Sequence, residues 1–504
     1  MVAPRPQPRV PTGISGLDTI LGGGLPRGRM YLVEGDPGAG KTTLALQFLL
    51  AGRTAGERCL YITVSETSNE LRAIASSHGW SLDGIELLDL QAVEEHLRFG
   101  PPYTLFHPSE VELAETTRAI LDRIDAAQPD RVCFDSLSEV RLLSRDSLRF
   151  RRQVLALKRT LADRDCTALM LDYRDRPGES PIESIAHGVL TLENLNIEFG
   201  GQRRRMIVKK MRATDFRAGS HEYRIYTGGI DVFPRIIAAE SRAQYEPRAF
   251  ASGVEGLDEL LGGGVATGTG TMLLGPSGVG KSTLAASWAL AAAERGERAV
   301  IYLFDETPAT WTTRLRGMGL EPERHLADGT LRLEALDPAE MGPGEFARLA
   351  QRQAVEQRAR VVVLDSLNGY LASMPTECFL ALHLHELLVT LNHHEIVTIL
   401  VMGQHGLLGE GVQSPVDLSY LADTVVLLRY FEVKGQVRKA VSVVKKRTGP
   451  HERTIRELQF SSEHGIVVGD SLSAFQGVLT GHLTWVGEEA RLLDRFGDGE
   501  TLHG

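Results

Sequence analysis

The chain has 504 residues, too many for one hydrophobic core, and its 42% apolar and 24% charged residues are typical of a globular protein with two or more domains. A formal net charge of −10 argues against non-specific coating of nucleic acid. The four cysteines form no C-x-x-C pair and lie in apolar stretches, so we expect reduced thiols and a cytoplasmic protein.

The chain starts with "MVAPRPQPRVP", which lacks the apolar core of a signal peptide and predicts a disordered tail over residues 1–10. No uncharged apolar run of about 18 residues occurs outside the glycine-rich loops, so we expect no membrane span.

An internal repeat organises the rest of the chain. "GISGLDTILGGGLPRGRMYLVEGDPGAGKTTLALQF" starts at Gly13, and "GVEGLDELLGGGVATGTGTMLLGPSGVGKSTLAASW" starts at Gly253, an offset of 240 positions. The offset holds without insertion as far as Glu66 and Glu306. Two copies of one domain explain this regularity. We therefore predict a first domain over residues 11–240, a second over 241–470 and a C-terminal segment over 471–504.

Each copy predicts the same order of elements: strand, glycine loop, helix, second strand, amphipathic helix, and a short apolar strand that ends in Asp. Strands that alternate with helices indicate an α/β fold, with a mostly parallel sheet and helices on both faces. A ligand is then expected at the carboxyl ends of the strands. The predicted ranges are 30–35, 41–53, 58–64, 111–127 and 132–135 in the first copy, and 271–275, 281–295, 299–304, 344–356 and 361–365 in the second.

Both glycine loops match the phosphate-loop pattern G-x-x-x-x-G-K-[ST], as "GDPGAGKT" and "GPSGVGKS". Glycines let backbone N–H groups close around a phosphate at a helix N-terminus, where the helix dipole favours an anion. Lys41 and Lys281 are expected to reach the β- and γ-phosphates of a nucleotide. The predicted binding residues are Gly35, Asp36, Pro37, Gly38, Ala39, Gly40, Lys41, Thr42 and Thr43, and Gly275, Pro276, Ser277, Gly278, Val279, Gly280, Lys281, Ser282 and Thr283.

A Mg²⁺ ion is expected beside each loop. The hydroxyls of Thr42 and Ser282 follow the loop lysines, where a phosphate loop places a metal ligand. Asp135 in "RVCFDS" and Asp365 in "VVVLDS" end buried strands, where a carboxylate holds the ion through its water shell. Each copy therefore predicts one Mg·ATP site.

Hydrolysis also needs a group that prepares the attacking water. Candidates follow the second strand of each copy, in "TVSET" and "LFDET". Glu66 is the candidate in the first copy, because Ser65 cannot act as a base. Asp305 and Glu306 are the candidates in the second copy. An exposed acid at a strand end is the alternative interpretation of all three.

With these motifs, the chain resembles the KaiC family of double RecA-like ATPases from Gly13 to about Leu483. The resemblance implies two tandem RecA-like P-loop NTPase domains and a homohexameric ring with ATP at the subunit interfaces. It also assigns a role to two K-x-R motifs, Lys210 with Arg212 and Lys445 with Arg447. In the family these residues reach the ATP of the neighbouring subunit, where a cation neutralises charge that develops on the γ-phosphoryl group.

In this family the second domain can phosphorylate a Ser-Thr pair of its own ring, and the matching positions in "DLSYLADT" are Ser419 and Tyr420. Ser419 is therefore a candidate phosphosite, whereas the threonine is replaced by tyrosine. The first copy has Glu183 and Ser184 at these positions. Two functions stay open: a serine autokinase, and a nucleotide-dependent signalling scaffold that docks a signalling protein without kinase activity. The tail after the C-terminal segment "DSLSAFQGVLTGHLTWVGEE" is short.

A third alternative is a DNA-dependent ATPase, because RecA-like folds are shared with recombinases. The basic stretch "GGQRRRMIVKKMR" over Gly200–Arg212 favours it, but no zinc ribbon, helix-turn-helix or aromatic series accompanies that stretch. We therefore do not expect nucleic acid as a partner, and expect Arg203–Arg205 in a solvated hairpin. Gln404, after another strand, is either a sensor of the γ-phosphate or a solvated strand-end residue.

Overall fold

The computed structural model describes residues 8–90, 108–144, 147–174, 182–195, 200–241, 246–372, 380–404, 419–478 and 484–486. The chain divides into two compact units, Met1–Arg235 and Ile236–Gly504. The division falls slightly before the boundary that the sequence predicts between residues 240 and 241. Each unit carries one copy of the repeat.

The first unit is built on a nine-stranded sheet with the order β11-β10-β9-β8-β3-β7-β6-β4-β5. Its strands are β1 (Arg9–Val10), β2 (Leu25–Pro26), β3 (Met30–Gly35), β4 (Cys59–Thr63), β5 (Ile85–Asp89), β6 (Arg131–Asp135), β7 (Thr167–Tyr173), β8 (Gly188–Leu195), β9 (Arg203–Met211), β10 (Ser220–Tyr226) and β11 (Gly229–Phe233). Its helices are α1 (Ser15–Ile20), α2 (Lys41–Thr54), α3 (Ser68–Ser77), α4 (Pro108–Ala127), α5 (Leu137–Ser144) and α6 (Ser147–Asp163).

The strands from β8 to β5 in this order run parallel, and β9, β10 and β11 extend the sheet antiparallel. The side chains of a strand alternate between the two faces of the sheet, and β3 buries both faces. Tyr31 and Val33 belong to one hydrophobic cluster with Phe48 of α2, whereas Met30 and Leu32 belong to a second cluster. Helices therefore cover both faces, and the predicted fold class is confirmed.

The second unit repeats this plan with the order β16-β15-β17-β18-β14-β19-β20-β21-β22. Its strands are β12 (Ala249–Phe250), β13 (Val265–Ala266), β14 (Gly270–Gly275), β15 (Arg298–Leu303), β16 (Leu331–Ala335), β17 (Ala359–Asp365), β18 (Val397–Gly403), β19 (Thr424–Val433), β20 (Gln436–Lys446), β21 (Ile455–Ser461), β22 (Gly465–Ser471), β23 (Phe475–Gln476) and β24 (Thr484–Trp485). Its helices are α7 (Glu255–Leu260), α8 (Lys281–Glu294), α9 (Pro308–Arg316), α10 (Pro322–Asp328), α11 (Pro343–Gln351), α12 (Leu367–Ala372) and α13 (Leu380–His393), and a π-helical turn spans Arg352–Glu356.

Three local features differ from the sequence-based expectations. Arg9 and Val10, assigned to a tail, pair with Pro26 and Leu25, and Val10 is buried. Arg203–Arg205 lie in a hairpin as predicted, since they begin strand β9 and pair antiparallel with the end of β8, but Arg203 is buried rather than solvated. The antiparallel strands that extend each sheet were not predicted. In the part of the chain that the structure describes, no helix is long and apolar enough to cross a membrane, and Cys59, Cys133 and Cys166 are buried free thiols.

Candidate functional site

Both phosphate loops connect the carboxyl end of a central strand to a long helix, β3 to α2 and β14 to α8. The residue before each helix, Gly40 or Gly280, has a φ angle of 88° or 110°, which a side chain rarely tolerates. A Cβ at Gly280 would also lie 2.2 Å from Cζ of Phe460, and one at Gly40 would lie 2.5 Å from Cδ1 of Ile225. The antiparallel strands thus close tightly on each loop, and glycine is required at its end.

The loop lysines fold back over their own loops. Nζ of Lys281 donates to the Pro276 carbonyl at 2.7 Å, and Nζ of Lys41 donates to the carbonyls of Gly35 at 2.7 Å and Asp36 at 3.1 Å. Burial lowers the pKa of Lys281 to about 8, an effect that the nearby Asp365 carboxylate opposes. Burial also lowers the pKa of Lys41. A partly desolvated ammonium group over a glycine loop at a helix N-terminus fits a phosphate, whose charge would stabilise it.

A hydroxyl and a carboxylate meet beside each lysine, as the sequence predicts for a metal site. Oγ1 of Thr42 donates to Asp135 at 2.9 Å, and Oγ of Ser282 donates to Asp365 at 2.9 Å. Burial raises the pKa of Asp365 to about 6, although the hydrogen bond from Ser282 and the charge of Arg314 lower it. A buried carboxylate gains from a cation, and Mg²⁺ takes few protein ligands because it keeps several waters. Both pairs therefore fit Mg²⁺.

Tyr61 is a part of the first site that sequence reasoning missed. Its hydroxyl donates to Oδ2 of Asp135 at 2.7 Å, on the adjacent strand, and burial raises the pKa of the phenol well above its ordinary value. Ile301 occupies the corresponding strand position in the second unit, two residues before the partner of Asp365. The metal-side carboxylate of the first unit thus has one more fixed donor than that of the second.

The first unit places Glu66 just after β4, at the carboxyl edge of the sheet where the phosphate loop also lies. Its backbone is held by Thr63, whose hydroxyl donates to the Glu66 carbonyl at 2.8 Å and accepts from its N–H at 3.0 Å. Oε2 is buried, and among the residues that the structure describes it has no hydrogen-bond partner. Burial raises the pKa of Glu66, and the carboxylates of Asp135 and Glu70 raise it further. Glu66 therefore has one oxygen free to accept a proton.

The second unit treats its two acids differently. Asp305 accepts a hydrogen bond from Oγ of Ser366 at 2.5 Å. Glu306 forms an ion pair with Arg314 of α9, at 2.8 Å between Nη2 and Oε2. Sequence reasoning missed Arg314, although the repeat contains a signal for it, because the first copy has Ile74 at the matching position.

These groups line a cavity of about 470 Å³ in the second unit. The cavity includes the loop lysine, the hydroxyl–carboxylate pair and both acids, together with Lys439 and Phe460 from the antiparallel strands. The solvated interpretation of Gln404 is wrong, because this residue lines the cavity with only 9% of its surface exposed. Within the described ranges, which stop at Gln404 and resume at Ser419, its Oε1 has no hydrogen-bond partner. A buried amide with a free oxygen is suited to sense what enters the cavity.

The K-x-R motifs lie at the opposite edge of each sheet from the phosphate loops. Lys210 pairs with Val189 at the start of β8, beside the start of β3. Val189 pairs with Leu32, three residues before the phosphate loop leaves β3 at Gly35, so Lys210 lies about 10 Å from the loop along the strand direction at roughly 3.3 Å per residue. Arg212, two residues further on, lies roughly 16 Å from it. Lys445 stands in the same relation to β14, through Val425. Neither motif is therefore brought to the phosphate loop of its own domain.

The motifs instead hold the segments that precede β8 and β19. Lys210 donates to the carbonyls of Glu183 at 2.7 Å and Ala186 at 3.0 Å, and Arg212 to that of Ser184 at 2.8 Å. In the second unit, Lys445 donates to the Ala422 carbonyl at 2.7 Å and Arg447 to the Tyr420 carbonyl at 3.3 Å. The two units thus fix equivalent segments by equivalent contacts.

The candidate phosphosite begins a short 3₁₀ turn, Ser419–Leu421, in which Tyr420 is exposed. The side chain of Ser419 lies outside the part of the chain that the structure describes. The basic stretch proposed as a DNA surface is largely β9, which pairs along its length with β8. Within it, Lys209 forms an ion pair with the buried Glu34. Part of its charge therefore serves the sheet.

Comparison with known proteins agrees with this arrangement. A model of the KaiC ATPase family matches residues 10–236 and 250–473. The circadian clock oscillator proteins KaiC of Thermostichus vulcanus and Thermosynechococcus vestitus are each 27% identical over 516 residues, covering 97% of this chain and 95% of theirs. The protein of the same name from Acaryochloris marina is 26% identical over 509 residues, covering 97% and 94%. The chain belongs to the KaiC family of ATPases, with two tandem RecA-like domains.

Proposed function

We propose that each domain binds and hydrolyses Mg·ATP and that the chain works as a cytoplasmic homohexameric ring with ATP at the subunit interfaces. The observation that carries this proposal is the repetition of one arrangement in both domains. A lysine folds back over the phosphate loop, a hydroxyl meets a buried carboxylate, and an acid lies after the second strand.

The bound ion would supply charge stabilisation to the phosphates, and the chain supplies the rest. Thr42 with Asp135, and Ser282 with Asp365, would hold Mg²⁺. The lysines bind the phosphates of ATP and exclude water from the loop. Glu66 accepts the proton of the attacking water in the first domain, and Asp305 or Glu306 does so in the second.

The position of the K-x-R motifs supports this ring. Arg212 and Arg447 lie roughly 16 Å along the strand direction from the phosphate loop of their own domain, too far for a side chain to span. A cation that neutralises the γ-phosphoryl group must approach it directly. We therefore assign Arg212 and Arg447 to ATP held by another copy of the chain, which would make hydrolysis depend on assembly.

Complementation between variants tests this arrangement. In a Lys281→Ala background, which restricts hydrolysis to the first domain, Lys41→Ala and Arg212→Ala should each lower turnover by about 100-fold. A mixture of the two variants, reassembled together, should regain activity, because some interfaces combine an intact Lys41 with an intact Arg212. Sedimentation with ATP should show six chains in each assembly. A mixture that stays as inactive as its components would contradict action between subunits.

We further propose that the second domain is a serine autokinase and that Ser419 is its acceptor. Arg447 and Lys445 hold the backbone on either side of Leu421, so the turn that carries Ser419 is attached to the motif expected at the neighbouring ATP. The same ring would then signal to a protein partner according to its phosphorylation. Tyr420 at the second acceptor position favours a single site over a two-site cycle.

Mass spectrometry after incubation with Mg·ATP decides between the autokinase and a signalling scaffold without kinase activity. We expect phosphate on Ser419 in the wild-type chain and in Lys41→Ala, but not in Lys281→Ala or Ser419→Ala. A chain that releases phosphate from ATP but carries no phosphate on Ser419 would favour the signalling scaffold without kinase activity. Stimulation of phosphate release by single-stranded DNA would instead favour the DNA-dependent ATPase.

A further inference from the structure

The two copies of the repeat differ at one position that faces the catalytic acids. The offset that matches Glu66 to Glu306 matches Ile74 to Arg314. Ile74, on α3, is partly buried and packs against the hydrophobic core of its domain. Arg314, on α9, extends into the nucleotide cavity. The second domain therefore carries a cation beside its glutamate where the first has only a hydrocarbon.

Arg314 is held at three points. Its Nε and Nη2 donate to the two carboxylate oxygens of Glu306, at 3.3 and 2.8 Å. Its Nη1 donates to Oγ1 of Thr283 at 2.7 Å. Thr283 follows Ser282 in the first turn of α8, directly after the phosphate loop. The guanidinium thus ties the glutamate to the helix that opens the phosphate site.

Stability does not explain this ion pair. The side chains of Arg314 and Glu306 retain 24% and 23% of their exposure, so water still screens their attraction. Ion pairs that water screens contribute little to the free energy of unfolding. The first domain folds the same strand-to-helix turn with Ile74 at the equivalent position. We therefore expect the ion pair to act on the chemistry of the nucleotide cavity.

A general base needs a carboxylate oxygen that can accept a proton from water. Glu66 has such an oxygen, because no group in the described part of the chain forms a hydrogen bond with its Oε2. Both oxygens of Glu306 are occupied by Arg314. On the basis of the ATPase function proposed above, we infer that Arg314 is a positioning residue that withdraws Glu306 from water activation and slows ATP hydrolysis in the second domain. ATP bound to the second domain then persists longer before hydrolysis than ATP bound to the first domain.

The test compares variants of the full chain in a Lys41→Ala background, so that hydrolysis reports on the second domain. Arg314→Ile installs the side chain of the first copy. Arg314→Lys keeps the charge but cannot occupy both oxygens in one plane. Arg316→Ile is the matched control, because Arg316 lies on the same helix and pairs instead with Glu323 at an exposed position. The double variant Arg314→Ile with Glu306→Gln asks whether a gain depends on the released glutamate.

Arg314→Ile should raise kcat about tenfold, part of the roughly hundredfold that a positioned base supplies, while KM for ATP stays within about twofold. Arg314→Lys should fall between this variant and the parent, Arg316→Ile should match the parent, and the double variant should return to the parent rate. If the parent rate is measurable, an unchanged or lower kcat in Arg314→Ile would overturn the proposed role of Arg314 but not the proposed ATPase activity of the domain. Absence of turnover in both the parent and Arg314→Ile would overturn the restraint and the proposed ATPase of this domain together.

Discussion

Replacing Lys281 with alanine should abolish nucleotide binding by the second domain and leave one occupied site per chain. The ammonium of Lys281 is buried over the phosphate loop, and the Pro276 carbonyl is its hydrogen-bond acceptor. Hydrogen bonds to charged groups contribute about 1.5–3 kcal/mol each, and every 1.4 kcal/mol is about tenfold in affinity. The loss of two contacts to phosphate oxygens therefore weakens binding by roughly 100-fold or more.

Counting nucleotides in the denatured and extracted protein measures this effect. The wild-type chain should carry two nucleotides, and Lys281→Ala should carry one. Lys41→Ala is the mirror-image control, because it should empty the first domain and leave the second. Two nucleotides per chain in Lys281→Ala would show that the lysine does not hold the phosphates and that the site is assigned wrongly.

Replacing Glu66 with glutamine should lower hydrolysis in the first domain by about 10²–10⁴-fold, the contribution of a positioned general base. The amide keeps the shape of the carboxylate but accepts a proton poorly. Burial and the neighbouring carboxylates of Asp135 and Glu70 raise the pKa of Glu66, which makes it a stronger base than an exposed glutamate. Binding should change little, because Glu66 does not belong to the phosphate loop.

Single-turnover hydrolysis in a Lys281→Ala background isolates this step from exchange of nucleotide. Ser65→Ala is the control, since it changes the adjacent residue without removing a base. We expect Ser65→Ala to turn over like the parent and Glu66→Gln to retain bound ATP. Turnover of Glu66→Gln within about threefold of the parent would assign water activation to another group.

The phosphate loops and metal-side residues could be predicted because their signals are local. The glycines, the lysine and the hydroxyl are close in sequence, and the repeat supplies each signal twice. The apolar strands that end in Asp135 and Asp365 are also visible directly, since buried parallel strands form continuous hydrophobic runs. Strand and helix boundaries then differ from the structure by at most three residues, where the π-helical turn Arg352–Glu356 is counted with α11.

The rest depends on partners that are distant in sequence. Tyr61 reaches Asp135 across 74 positions, because β4 and β6 are neighbours in the sheet. The extent of strand β9 could not be predicted, because its arginines and lysines are typical of a solvated surface. Its Lys209 is instead paired with the buried Glu34, which also accepts a hydrogen bond from Thr191 at 2.9 Å. A charged residue in a sequence does not show whether the fold supplies a buried group of opposite charge to pair with it.

Arg314 is an intermediate case. It lies only eight positions after Glu306, and α9 brings it back over the strand end. A comparison of the two copies exposes the difference from Ile74, but the contact with both carboxylate oxygens needs the structure. Both copies share the phosphate-loop motif. They differ in the glutamate after the second strand, which forms an ion pair with an arginine in the second copy, where the first copy has Ile74 at the position of that arginine.

The assignment of one Mg·ATP site to each domain is tested by measuring phosphate release from ATP. The wild-type chain is compared with the single variants Lys41→Ala and Lys281→Ala and with the double variant that combines them. Two sites, one in each domain, predict Mg²⁺-dependent release by the wild type, partial release by each single variant, and none by the double variant. Continued release by the double variant, or release by the wild type that persists after Mg²⁺ is chelated, would contradict the assignment of both domains as Mg·ATP sites.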